Sequence, residues 1–230
     1  MFRRLLPLAA LLSLAFSAGC TSPNRPVDAA RSAAPVRVAC VGDSITYGAG
    51  LAGREQNSYP AQLGALLGAR WDVRNFGVSG STLLNAGDKP YRQQPEFVAA
   101  LAFQPDVVII MLGTNDSKPQ NWAHRDQFAG DYTALLREFA ALPSPPRLWV
   151  CRPMPAFPPS DWGISPALIE REIGPLVARI ARSEHTGLID QFATLQGRHD
   201  LVPDHVHPNA AGARLLARTV YRALTGRPAP

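Results

Sequence analysis

Asp204, His205 and His207 stand within four consecutive positions, with Pro208 and Asn209 directly behind them. A carboxylate three residues before an imidazole can lie on the same side of a turn or helical start. Asp204 is then placed to hold Nδ1 of His207 and leave Nε2 free as a base. The hydroxyl best placed to use such a base is Ser44, in VGDSITYG (41–48), just after a short apolar run. A free serine is a poor nucleophile, but within reach of a base that a third group orients it can attack a carbonyl carbon. The oxyanion that results needs donors. Those available are the backbone N–H of Ser44, a backbone N–H of the turn at Gly80 in NFGVSGST (75–82), and the side-chain amide of Asn115 in GTNDS (113–117). Removing one such donor typically costs ~10²-fold or more in rate.

His205 competes with His207 for the role of base. Only His207 has the D-x-x-H spacing to Asp204 and the Pro208-Asn209 pair that starts the last helix, and in an extended segment His205 points to the other side. His207 is therefore the expected base, and kcat/KM is expected to rise with pH as the ring deprotonates. Asp-His-x-His is also a zinc-ligand chemistry. No other His, Cys, Asp or Glu pair has ligand spacing, so neither a metal nor a cofactor is expected. GDSITYGAG does not supply the G-x-G-x-x-G of a dinucleotide site.

Short apolar runs alternate with helical patterns along the chain. The runs are 36–41, 71–76, 106–112, 147–151 and 187–190, and helical periodicity covers 58–69, 94–103, 126–141, 166–184 and 209–225. DVVIIML (106–112) is apolar almost throughout, as a central parallel strand covered on both faces would be. Five βα units in succession predict a three-layer α/β/α sandwich with a five-stranded parallel sheet and its site outside the carboxyl ends of the strands. Ser44, Gly80 and Asn115 each follow a strand, so all three fall at that edge, where residues 204–209 can join them.

At 230 residues and 46% hydrophobic content the chain suffices for one domain with a substantial core. Its net charge of +5 comes from scattered Arg with no Lys/Arg run, which argues against a nucleic-acid partner. MFRR followed by the apolar run 5–16 reads as an export signal, too short to span a bilayer, which takes roughly 20 residues. SAGC (17–20) resembles a bacterial lipoprotein cleavage site, at which Cys20 would be lipidated, and residues 21–35 then read as a flexible linker. The expectation is a membrane-anchored lipoprotein facing the periplasm or cell exterior, or else a soluble secreted protein, with its folded domain at 36–230. Cys40 and Cys151 sit in apolar runs and read as buried thiols.

Taken together, GDS with Ser44, SG with Gly80, GTND with Asn115 and the D-x-x-H-P-N block with Asp204 and His207 resemble the SGNH or GDSL hydrolases, in their order and over the whole domain. That resemblance implies a flavodoxin-like fold, Ser44 as nucleophile, Gly80 and Asn115 completing the oxyanion hole, and a Ser-His-Asp triad closed by His207 and Asp204. The family commonly has Gly after the block's Asp, where this chain has His205, so position 205 is expected to need an unusual backbone conformation.

The loops above the site edge bear on the substrate. Tyr91, Trp122, Phe157 and Trp162 are interleaved there with Arg92, Lys118, Gln120, Asn121 and Arg152. Aromatics flanked by amides and Arg suit a carbohydrate, although the same aromatics could equally anchor long loops. The loops also look like those of family members acting on acetylated carbohydrates, including sialate O-acetylesterase-like proteins. The expected reaction is removal of short acyl groups, acetyl above all, from a glycan or small-molecule ester. The alternatives are a lysophospholipase or short-chain lipase, an O-acyltransferase of the same fold, and a non-catalytic carbohydrate-binding lipoprotein. Retention of both Ser44 and His207 argues against the last of these.

Overall fold

A computed structural model describes residues 22–160 and 162–230. The segment read as an export signal and Cys20 lie outside the described residues. Five strands, β1 (Val36–Gly42), β2 (Trp71–Gly77), β3 (Val107–Met111), β4 (Arg147–Arg152) and β5 (Gly187–Asp190), form one parallel sheet in the order β2-β1-β3-β4-β5. This is the three-layer flavodoxin-like arrangement read from the sequence. Its strand order reverses between β1 and β3, and the loops leaving those two strands diverge there to open a crevice.

The alternation of side chains along the strands divides the interior in two. Ala39 and Val41 of β1, Val108 and Ile110 of β3 and Val150 of β4 face one helical layer, formed by α4 (Pro95–Ala102), α6 (Phe128–Ala140) and α8 (Gly174–Ser183). Val38 and Cys40, Val107, Ile109 and Met111, and Trp149 and Cys151 face the other, formed by α3 (Tyr59–Leu67) and α10 (Ala210–Thr225). Both faces of β1 and β3 are covered, which is why these strands lack polar alternation. Cys40 and Cys151 are buried free thiols.

The shorter helices are α1 (Ser44–Tyr47), α2 (Arg54–Asn57), α5 (Pro119–Trp122), α7 (Pro166–Leu168) and α9 (Gln191–Leu195). The single helix expected over 166–184 is α7 and α8 joined by a π turn, Ile169–Ile173. Pro175 at the start of α8 has no N–H to give an i−4 carbonyl, and the chain takes up the mismatch there.

Residues 22–35 lie against the body rather than forming a free tether. Val27 N donates to Leu224 O at 2.7 Å, Leu188 N donates to Asn24 Oδ1 at 3.1 Å, and Arg70 donates to the carbonyls of Ala29 and Ser32 at 2.7 Å each. Arg147 donates to the carbonyls of Pro23 and Arg25. Backbone carbonyls of a Pro-rich stretch thus meet guanidinium donors at the amino-terminal edge of the sheet, opposite the crevice.

Candidate active site

Ser44 leaves β1 at the switch point and opens α1. The turn is tight because of Gly42: a Cβ there would lie 2.6 Å from the Met111 carbonyl and 2.1 Å from the Thr46 hydroxyl. Its glycine is required by close approach of chain to chain, not by a left-handed backbone. Asp43 caps α1, its Oδ1 accepting from Ile45 N at 2.9 Å.

His207 meets Ser44 from the other end of the chain. Its Nε2 lies 2.8 Å from Ser44 Oγ and its Nδ1 lies 2.7 Å from Asp204 Oδ2. The carboxylate fixes the proton on Nδ1, leaving Nε2 as the acceptor for the serine hydroxyl. Asp204 is itself locked, because its Oδ1 accepts the backbone N–H of His207 at 2.6 Å and of Val206 at 3.0 Å. Burial raises the Asp204 carboxyl, but these two N–H groups and the His207 ring outweigh it and hold the group below the ordinary carboxylate range. His205, inside this turn, has φ 70°, a left-handed conformation, where an unusual backbone was anticipated because the family has glycine at that position. Its carbonyl accepts from Phe157 N at 2.8 Å, tying the turn to the loop after β4.

Gly80 has φ 83°, which a side chain would strain. Asn115 donates one amide hydrogen to Ser81 O at 3.1 Å. Among the described residues, neither the Ser44 N–H nor the Gly80 N–H donates to a protein acceptor. Ser44, Gly80, Asn115 and His207 line one hollow of about 400 Å³, with Ala49, Ser79, Lys118, Trp162, Ile164 and Val206 as its remaining walls. Two free backbone donors and an amide with one hydrogen to spare thus share a cavity with a serine that a histidine can deprotonate. A second hollow of about 500 Å³, walled by residues 49–52, Asn57, Pro203, Asp204 and 207–210, adjoins on the other side of His207. No three His, Cys, Asp or Glu side chains among the described residues gather as a metal-ligand set.

The four aromatics expected at the substrate site divide sharply. Trp162 lines the hollow: it is 56% exposed, and its ring meets that of His207 at 5.4 Å and 86°, edge to face. The other three are corrections. Tyr91 is fully buried and donates its phenol to Phe76 O at 2.7 Å; Trp122 is buried with its Nε1 donating to Glu172 at 3.0 Å. Phe157 is buried in the α3/α10 layer with its ring 3.9 Å from that of His199. Each anchors a loop: Tyr91 and Trp122 because an aromatic ring whose polar tip finds a partner inside is more stable buried than exposed, and Phe157 because its wholly apolar ring packs into the core. Of the interleaved polar residues, Lys118 reaches the hollow and bonds Asp88 at 3.4 Å. Arg92 pairs with Glu138 and Arg152 with Asp190. Asn121 bridges Asp88 and the carbonyl of Asn115.

Two residues beneath the site were not anticipated. Asp43 and Asp116 are both fully buried; Asp116 accepts the backbone N–H of Leu83 at 3.0 Å and of Leu84 at 2.8 Å. Burial pushes the Asp116 carboxyl up to about 7, the nearby Asp43 adding to the effect, and pushes Asp43 up to about 6. Asp43 Oδ2 and Thr114 Oγ1 are buried without a hydrogen-bond partner, yet the Thr114 hydroxyl lies near enough to favour the Asp43 charge. The available signal was an acid directly adjoining each proposed catalytic polar residue, in GDS and in GTND.

A serine, a histidine and an acid brought together at the carboxyl edge of a parallel sheet form an arrangement suited to serine-based hydrolysis. The GDSL-like lipase/acylhydrolase family profile matches residues 40–215. The chain belongs to that family. It is 40% identical over 207 residues to an acetylxylan esterase of Xylanibacter ruminicola, covering 82% of this chain but only 43% of that relative. The fold is shared with the carbohydrate acetylesterase Est24 of Sinorhizobium meliloti (TM-score 0.66, 21% identity, 81% of this chain and 96% of that one). It is also shared with the acetylxylan esterase Axe2 of Geobacillus stearothermophilus (0.63, 24%, 83% and 94%).

Proposed function

We propose that the protein removes short acyl groups, chiefly acetyl, from a carbohydrate through a Ser44-linked acyl-enzyme. Ser44 Oγ attacks the ester carbonyl carbon as its proton passes to His207 Nε2. The developing oxyanion takes the N–H groups of Ser44 and Gly80 and the amide of Asn115. The ester C–O bond breaks as His207 returns the proton to the alcohol oxygen. Water then attacks the acyl-enzyme, its proton going to the same ring; the acyl C–O bond to Ser44 breaks as His207 returns that proton to Oγ, and the carboxylic acid leaves. Asp204 orients the imidazole and stabilises its charged form throughout.

The observation that carries the carbohydrate reading is Trp162. The alcohol must leave beside His207, since that ring protonates it, and the exposed indole at that point offers a flat apolar face with Lys118 at its rim. The second hollow beyond His207 leaves room for more of a glycan. The acetylxylan esterase relative supports acetyl as the acyl group.

Trp162→Ala is expected to raise KM for an acetylated oligosaccharide about tenfold, equivalent to about 1.4 kcal/mol of lost binding. Hydrolysis of ethyl acetate, whose alcohol is too small to cover the ring, should change little. An equal effect on both esters, or none on either, would remove Trp162 from the substrate site. Export and lipid attachment at Cys20 belong to the same proposal and rest on residues 1–20. Cys20→Ala is expected to shift the protein from the membrane fraction to the soluble exported fraction with its esterase activity intact. An unmodified mature N-terminus elsewhere in the native protein, found by mass spectrometry, would contradict this.

A further inference from the structure

We propose that Asp116 is a positioning residue for the oxyanion hole, its ionised carboxylate holding the 80–84 loop in register with Asn115. This rests on the reading of Gly80 and Asn115 as oxyanion donors. Asp116 follows Asn115 directly, so one 3₁₀ turn, Asn115–Ser117, carries both the amide donor and the clamp. The carboxylate accepts the N–H groups of Leu83 and Leu84, while Asn115 Nδ2 donates to the carbonyl of Ser81. Three bonds therefore fasten residues 81–84 to 115–116, on the stretch immediately after Gly80. Asn121 in turn holds the Asn115 carbonyl at 2.8 Å. A displacement of either segment would separate the two donors that converge on one oxygen, and such donors act only at the correct distance.

The clamp works best when ionised, because a carboxylate is purely an acceptor and both of its oxygens face N–H donors. The titratable groups facing Asp116 are Asp43 from the turn after β1 and Tyr132 from α6, and Asp43 in turn feels His207. The loss of water around the buried carboxyl and the like charge of Asp43 oppose ionisation, to about 7 for Asp116. The consequence is opposite pH trends in activity and stability. Asp116 and Asp43 bind protons more tightly in the folded than in the unfolded chain. The stability they contribute is complete below the ordinary carboxylate range of about 4 and is lost as pH rises through 6 to 7. Activity gains over that same window as the clamp ionises.

The test uses Asp116→Asn, which keeps shape but turns an NH₂ toward one of the two N–H donors. On a short-chain ester, kcat is expected to fall roughly 10- to 100-fold with KM changed less than about threefold. The acid limb of log kcat/KM against pH, steeper than one proton in the wild type, should relax to the slope of a single group. The fall of melting temperature between pH 5 and 8 should also shrink. Asn115→Ala is expected to lower kcat about 10²-fold with little change in KM, and the double variant should be scarcely worse than Asn115→Ala alone, since both act on the same donors.

Additive losses, a loss confined to KM, or an unchanged acid limb would overturn the proposal. If Asn115→Ala loses kcat while Asp116→Asn does not, this inference alone fails. If Asn115→Ala leaves kcat intact, the oxyanion-hole reading fails and this proposal with it. Should Asp116→Asn not fold, the wild type decides. The backbone amide resonances of Leu83 and Leu84 should move together as pH is raised from 5 to 8, tracking the second proton of the activity profile, and their invariance over that range would contradict the clamp.

Discussion

Ser44→Ala is expected to leave a folded protein whose turnover of a short-chain ester falls about 10⁴-fold or more. The hydroxyl's hydrogen bond is to His207 Nε2, and the remaining atoms of Ser44 are backbone and a methylene that alanine retains. Nothing in the core is left unsatisfied, because the imidazole reaches the site hollow and water can replace the lost partner. The melting temperature is therefore expected to stay close to that of the wild type while chemistry is lost. Wild-type activity should be indifferent to EDTA; activity removed by the chelator and restored by zinc would revive the Asp-His-x-His metal reading. Near-native turnover by a purified Ser44→Ala protein would end the serine mechanism.

His207→Ala is expected to be nearly as damaging, whereas His205→Ala and His205→Gly should keep most of the activity. The two imidazoles are one residue apart but differ in every physical respect that matters. His207 stands between Ser44 Oγ and Asp204 Oδ2, at 2.8 and 2.7 Å, whereas His205 lines neither hollow and serves through its backbone. At φ 70° a glycine is comfortable and a side chain is not. His205→Gly is thus expected to relieve about 1 kcal/mol of left-handed strain, partly offset by the greater freedom glycine gives the unfolded chain. Assays of the single variants on one short-chain ester, with melting curves beside them, check both halves. Loss of activity in His205→Ala with survival in His207→Ala would reverse the assignment.

The parts of this fold that were legible in the sequence are those governed by periodicity and by chain order. The near-continuous apolar run 106–112 announced β3 as a strand covered on both faces, and the alternation of five such runs with helical stretches announced the parallel sheet. Ser44, Gly80 and Asn115 could be placed at one edge because each follows a strand, and a parallel sheet puts all strand ends together. The D-x-x-H spacing foretold a turn in which one acid reaches one ring, and the family resemblance, with glycine where this chain has His205, pointed to an unusual backbone there.

Burial within loops was not legible. Tyr91, Trp122 and Phe157 share with Trp162 a setting of Pro, Gly and polar residues, and nothing local distinguishes a ring that anchors a loop from one that faces solvent. The difference lies in distant partners, such as the Phe76 carbonyl for Tyr91 and Glu172 for Trp122. Asp116 escaped notice for the same reason, because its partners at Leu83 and Leu84 are brought to it by the fold and not by spacing. Residues 22–35 were legible as Pro-rich and polar, but their docking depends on Arg70 and Arg147, which composition cannot pair with particular carbonyls.

The central claim is that Ser44 carries the acyl group between the two halves of the reaction. The most direct measurement is to quench the enzyme during turnover of a p-nitrophenyl acetate solution, weigh the intact protein and map the modified peptide. The expected result is one added acetyl group, located on Ser44, accumulating in the wild type at low pH where deacylation slows and absent from Ser44→Ala. An acetyl group mapped to another side chain, or full turnover with no acyl-enzyme under any quench and no labelling of Ser44 by a fluorophosphonate, would contradict it.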